Sequence, residues 1–259
     1  MENVAVSRTR NYKKRSVFDA DKLQNRYMKP LKLAIMQPYL FPYIGYWQLI
    51  NFVDKFVIME DLHYMKQSFI NRNYILINGQ AHLLTLQLIS SSQNKLINEI
   101  EIGNNREMMI KTIERAYMHA PYFKEVFPLI KSILEYPEKN LARFIGNSLI
   151  EISNFLGIDT EFVYSYDIQR DHNLKRQEMV LDICDRIGTT HYINAKGGRK
   201  LYDKKKFKEH GINLNFITTE PIEYKQFRNV FVENLSIIDI MMFNSKDEIG
   251  AMLEKYVLF

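Results

Sequence analysis

The sequence predicts an α/β fold: a mainly parallel, five-stranded, doubly wound sheet with an inserted β-hairpin and a helical insertion. Three observations predict it. Short continuous apolar runs, as strands buried on both faces require, alternate with helical stretches. That alternation is interrupted once, by an Asn-Gly turn signal followed by a long helical segment, and it then resumes to the C-terminus. Strands and helices alternating in this way give a parallel sheet with helices on both faces.

The elements follow in order. Leu33-Ala34-Ile35-Met36 is the first buried strand. Pro38 and Pro42 then break any regular ladder, Gly45 follows, and residues 46–53 read as a helix. Phe56-Val57-Ile58-Met59 is the second strand; the right-handed crossover of a β-α-β unit makes it parallel to the first. Asn78-Gly79, flanked by apolar residues 74–77 and 82–86, marks a hairpin inserted near 73–90, because both residues tolerate the positive φ of a tight turn. Residues 106–157 read as helical throughout, with Met109, Ile113, Ala116 and Tyr117 at helical spacing, punctuation by Pro121, Pro128 and Pro137, and Gly157 as the closing residue. The last third gives a strand over 161–166, a helix over 174–187, a strand over 191–194, a helix over 199–209, a strand over 214–218 and a terminal helix over 246–256. Residues 31–259 are thus expected to form one domain, and residues 1–30, polar and without a sustained apolar period, a flexible basic arm with a short helix near 19–28.

Composition narrows the function classes. A chain of 259 residues with 46% hydrophobic and 25% charged content buries a real core. The net charge of +5 is concentrated at Arg8, Arg10, Lys13, Lys14 and Arg15 and again at Lys204, Lys205, Lys206 and Lys208. No aromatic-plus-basic signature accompanies these runs, so they read as solvated faces and disfavour a nucleic-acid partner. Cys184 is the only cysteine, which excludes an intrachain disulfide; set among Val180, Leu181, Ile183 and Ile187, its thiol reads as a small hydrophobe. No apolar run spans a bilayer and no signal-type segment follows the basic N-terminus, so a cytoplasmic protein without membrane insertion is expected. No pattern fixes an oligomeric state.

Ligands of parallel sheets bind beyond the carboxyl ends of the strands, where strand order reverses. Three loops qualify: 37–46, 60–72 and 195–200. The first offers Gln37 and the rings of Tyr39, Phe41, Tyr43 and Tyr46, with Gly45 at the helix start. The second carries Asp61, His63, Tyr64, Lys66, Asn71, Arg72 and Asn73. Asp61 or His63 would serve as a general base, His63 because its reference pKa lies near neutrality. Arg72 would grip a phosphate in bidentate fashion, with Lys66 a point charge beside it. In the third, Gly197 and Gly198 allow close backbone approach between Lys196, Arg199 and Lys200, with Tyr202 facing the same cleft. The plainer reading of that loop, a flexible turn with solvated bases, stands beside it; the order of a Walker loop is absent. The histidines have no zinc-ligand spacing, so no metal site is assigned. A Mg²⁺ shared with nucleotide phosphates, needing only one or two carboxylates, stays open. Ser236 reads as a helix cap rather than a reactant.

The run QPYLFPYIGYWQLINFVDKFVIMEDLHYMKQSFINRN resembles the opening of WbqC-like proteins, and HYINAKGGRKLYD, GINLNFI, IEYKQF and LSIIDIMMFN continue the resemblance over approximately residues 31–250. Two positions depart from the family pattern: Phe69-Ile70 stands where Trp is common, and the loop at 194–200 is rich in Lys and Arg rather than Ser and Gly. The resemblance implies a role in O-antigen, lipopolysaccharide or related surface-polysaccharide biosynthesis. It implies a transferase or amide ligase that acylates or aminoacylates the amino group of a nucleotide-linked deoxyamino sugar. The partners would be that nucleotide sugar and an acyl or aminoacyl donor, with an aminoacyl-tRNA left open as the donor although a nucleic-acid partner is otherwise disfavoured. A non-catalytic nucleotide-sugar-binding accessory module, or a HUP-type nucleotidylyltransferase, is the alternative. The opening is also similar to HUP-type nucleotidylyltransferases, which implies a HUP/Rossmann-like sheet with phosphates at the helix N-terminus. Those enzymes carry Gly-His where Gly45-Tyr46 stands, and a tyrosine can donate to phosphate but brings no positive charge.

Overall fold

The computed structural model describes residues 30–228 and 230–259; the arm expected over 1–30 lies outside them, save Pro30. β1 (Lys32–Met36) and β2 (Lys55–Ile58) are parallel, with Ala34 opposite Phe56 and Ile35 opposite Val57. α1 (Ile44–Phe52) crosses between them. The inserted hairpin is β3 (Arg72–Ile77) and β4 (Gln80–Thr85). Its two-residue turn places Asn78 at φ 50° and Gly79 at φ 75°, the geometry that matches the twist of the flanking strands. A second, shorter antiparallel pair, β5 (Leu88–Ile89) with β6 (Glu101–Ile102), carries too few residues to leave an alternating pattern in the sequence.

The helical insertion resolves into α2 (Arg106–Tyr117), α3 (Phe123–Glu135) and α4 (Leu141–Leu156). Pro121 and Pro137 fall in the two joints between these helices, while Pro128 sits inside α3 rather than ending it. Asn140 starts α4 by accepting the Arg143 N–H, and Gly157, at φ 71°, ends it in the left-handed conformation that glycine adopts without a Cβ penalty. There follow β7 (Glu161–Tyr164), α5 (Arg176–Ile187) and β8 (His191–Ala195). The helix expected over 199–209 divides into a 3₁₀ segment, Lys196–Leu201, and α6 (Lys204–Glu209). The division falls at extended Tyr202, because the Asp203 carboxylate accepts the Lys205 N–H and begins a new helix. β9 (Asn213–Thr219), α7 (Ile237–Phe243), α8 (Lys246–Leu253) and β10 (Tyr256–Leu258) complete the unit Leu31–Phe259.

The main sheet has six strands, in the order β10-β9-β8-β1-β2-β7, with β10 antiparallel to β9 and the rest parallel. The expected five strands therefore gain a sixth at the place where the terminal helix was read to continue to residue 256. The cause is Gln48: buried in α1, its Nε2 donates to the carbonyls of Met252 and Lys255 at 2.8 Å each, while its Oε1 accepts from Thr219 Oγ1 at 2.8 Å. The chain leaves the helix there and pairs with β9. Alternate strand residues face opposite layers. Ala34, Phe56, Ile58, Ile193 and Ile217 pack with α1, α4 and α8. Leu33, Ile35, Val57, Tyr192, Leu214 and Phe216 pack with α5 and α6. A fully buried aliphatic or aromatic side chain in either layer contributes roughly 1.5–3 kcal/mol. From β1 the chain builds outward through β2 to β7, then returns to the other side of β1 and builds through β8 to β10. The order thus reverses between β1 and β8.

Candidate functional site

At that reversal a crevice of about 430 Å³ opens beyond the strand ends, lined by Met36 at the end of β1, Gln37 and Tyr39 after it, Met59 and Leu62 after β2, and Asn194, Gly197, Gly198 and Tyr202 around the end of β8. Asn194 is buried and donates to the hydroxyls of Tyr192 (2.8 Å) and Tyr202 (3.3 Å), which fixes the floor. Burial pushes the Tyr202 hydroxyl pKa up, so it stays a neutral donor and acceptor. A Cβ on Gly198 would stand 2.9 Å from Asn194 Oδ1; the close approach inferred for this glycine is therefore between the loop and Asn194. Of the sequence-derived candidates, Gln37, Tyr39, Gly197, Gly198 and Tyr202 meet here. Tyr39 also borders a second hollow of about 280 Å³, walled by Pro42, Tyr43, Phe69, Asn73 and Asn234. Tyr43 and Asn234 connect that hollow to a third, of about 260 Å³, beside Thr219 and Glu220. Together they form a groove along the sheet's C-terminal end with aromatic walls in the middle.

The first and second loops knit together through backbone. Leu40 N donates to Phe69 O at 3.0 Å, and Asn73 Nδ2 donates to the carbonyls of Leu40 (3.2 Å) and Phe41 (2.9 Å). Phe41 sits at φ 43°, a conformation costly for a bulky residue, and Asn73 holds it there. Several candidates are committed to this framework. Tyr46 is buried and donates its hydroxyl to Gln37 O at 2.8 Å, and burial first, then the neighbouring Tyr39, raises its pKa far above the usual range. Gly45 lets α1 approach β9, since a Cβ there would lie 2.5 Å from Thr219 Oγ1. The Tyr64 hydroxyl donates to Asn71 Oδ1 at 2.9 Å, and Asn71 Nδ2 to Leu86 O at 2.8 Å. Arg72 donates to the carbonyl of Gln67. Lys66 is exposed, and Arg199 lies 5.8 Å from the Phe259 ring centre. Lys200 borders a separate basic hollow next to the crevice.

Asp61 and His63 do not form a pair. Asp61 is buried against Arg170, each side chain 4% exposed, in a direct ion pair. Its other oxygen lies 2.6 Å from Ser165 Oγ, and its imidazole neighbour is His172, at 3.7 Å. His63 is exposed, and its backbone bridges to Leu96. Ser165 Oγ also lies 2.8 Å from Glu60 Oε2. With one hydroxyl proton, Ser165 serves both carboxyls only when one of them is protonated, and burial pushes Glu60 toward that form. Ser236 occupies the N-cap position of α7 as read, yet its Oγ, buried, makes no hydrogen bond. Burial also raises the Cys184 thiol pKa strongly, which keeps it protonated and inert.

The sequence reading missed Arg170, Ser165 and His172, although the strand-end rule extends to the segment after β7. Asn194, the polar floor of the crevice, lies at the end of β8, and Leu62, part of its wall, lies in the loop after β2; both carried the same signal.

The model of the WbqC-like protein family matches residues 37–251. The uncharacterized protein Rv1507c of Mycobacterium tuberculosis is 28% identical over 233 residues, covering 88% of this chain and 98% of its own length. No solved structure matches the chain.

Proposed function

The chain belongs to the WbqC-like protein family, and from that premise we propose that it is an enzyme of surface-polysaccharide biosynthesis that binds a nucleotide-linked amino sugar at the β1/β8 crevice and acylates its amino group. The observation that carries the reading is the crevice at the reversal of strand order, with a two-glycine loop on one side and Gln37 and Tyr39 on the other. Parallel sheets take nucleotides at this position, and the reversal between the first and fourth parallel strands supports the doubly wound, nucleotide-binding form of the fold. The groove continues from the crevice between Tyr39, Tyr43 and Phe69, rings suited to stacking a sugar or a base. The crevice lining holds no carboxylate, so a Mg²⁺ there would be held by the ligand's own phosphates. Among the described residues no helix is long and apolar enough to cross a membrane.

For the reaction, an amine attacking an activated carbonyl must lose a proton, and Asp61 or His63 was read as its acceptor. Asp61 faces Arg170, so His63 and the exposed His172 are the available imidazoles. One observation favours a second reading, a nucleotide-sugar-binding module without turnover: no acid–imidazole pair lies within the crevice lining. Incubating the protein with a nucleotide-linked amino sugar and acyl or aminoacyl donors separates the two. A product heavier by one acyl increment is the enzyme's outcome; saturable binding with no product over long incubation is the module's.

A further inference from the structure

We propose that the basic hollow at the start of α5 holds linked phosphate groups, the diphosphate of a ligand whose remainder lies in the crevice. The hollow has a volume of about 430 Å³ and is lined by Lys175, Arg176, Lys200 and Lys206 together with Glu178 and Asp203. Leu201 and Tyr202 border both it and the crevice, so the two adjoin. Of its two acids, one is neutralised by an ion pair and the other keeps its charge. Glu178 pairs with Lys206 at 2.7 Å, and the Asp203 carboxylate accepts the Lys205 N–H at 2.9 Å. Lys175, Arg176 and Lys200 make no ion pair among the described residues.

Lys175, Arg176 and Lys200 face a single unpaired carboxylate, Asp203, so the concavity keeps a net positive charge that an anion relieves. α5, twelve residues long, begins here without a side-chain cap. Its free N–H groups and the positive end of its dipole add to the field. One carboxylate would leave part of the charge unmatched, whereas a diphosphate matches it, with the Arg176 fork gripping oxygens and the two lysines acting as point charges. The phosphate role thus moves from Lys66 and Arg72, which lie on the other side of the Tyr39 turn, to residues after β7 and β8. The proposal rests on the nucleotide-sugar reading for what the phosphates carry, and not for the phosphates themselves.

Calorimetric titration of the full chain with inorganic pyrophosphate tests it. Arg176 sits at φ 53°, a conformation glycine adopts freely, so Arg176→Gly removes the charge without straining the backbone. Saturable binding is expected for the natural protein. Arg176→Gly combined with Lys200→Ala should raise the Kd at least about tenfold, a change of about 1.4 kcal/mol. Lys131→Ala, a control on α3 where Lys131 pairs with Glu135, should leave it unchanged. Absence of pyrophosphate binding, an unaltered Kd in the double variant, or an equal loss in the control would each overturn the site. Failure of acyl transfer with pyrophosphate binding intact would overturn the reading of the function and leave this site standing.

Discussion

Replacing Asp61 by Asn should unfold the protein more readily rather than remove a catalytic base alone. The substitution keeps shape and volume but deletes the charge opposite Arg170, in a pair whose side chains are both 4% exposed. Arg170 cannot shed its proton, and its Nε already lacks a partner, so it would be left buried and uncompensated. Breaking a buried pair in this way costs about 3–5 kcal/mol. For a domain of this size that is a fall in Tm of roughly 6–20 °C. Urea unfolding followed by tryptophan fluorescence is a suitable assay, because Trp47 is buried in α1; the midpoint should fall while the m-value holds. Arg170→Met alone should also destabilise, and the double variant should recover about 1–3 kcal/mol relative to the sum. If Asp61→Asn unfolds like the natural protein yet loses turnover, Asp61 is a catalytic base and the structural role assigned to it is wrong.

Asp239 gives a pH signature. It is buried among the hydroxyls of Tyr117 (2.8 Å) and Tyr224 (2.7 Å) and Gln226 Nε2 (2.6 Å). Burial raises its pKa despite those donors. A carboxyl raised on folding contributes stability that is fully present below its unfolded pKa and is lost as pH rises through the folded one. Asp239→Asn should therefore flatten the decline in stability above the ordinary carboxylate range, measured by unfolding at a series of pH values; an unchanged slope would contradict the assignment. Asn73→Ala deprives two carbonyls of their donor and releases Phe41, at a cost of about 1–3 kcal/mol per unsatisfied group, read as a lower urea midpoint with weakened nucleotide-sugar binding. Gly45→Ala places a methyl group 2.5 Å from Thr219 Oγ1 and should cost about 1–3 kcal/mol. Thr219→Ala in the same chain should recover part of that; no loss in Gly45→Ala would show that the helix can move away.

The parallel strands were legible because each is a short apolar run bounded by turn residues, and the hairpin because Asn78 and Gly79 both accept positive φ. β10 was not, since what ends α8 is a pair of hydrogen bonds from Gln48, some two hundred residues earlier in the chain. β5 and β6 are two residues each, too short for alternation to register. That Gln37, Tyr39, Gly197, Gly198 and Tyr202 line one crevice followed from the strand-end rule alone. The partners of Asp61, Ser165 and Arg170, were not legible because they are more than a hundred positions away. Nearness in sequence favoured His63, whereas the sheet sets the end of β2 beside the end of β7. For Asn71, Asn73 and Tyr64, sequence shows a polar side chain but not the carbonyl or amide it already satisfies.

The most direct measurement is a crystal soaked with a nucleotide-linked amino sugar, read as difference density. Density is expected between Gln37 and Tyr39 on one side and Gly197 and Gly198 on the other, passing over Tyr202. Density in the hollow between the hairpin and α2, against His82 and Met108, with the β1/β8 crevice empty, would contradict the assignment of the site.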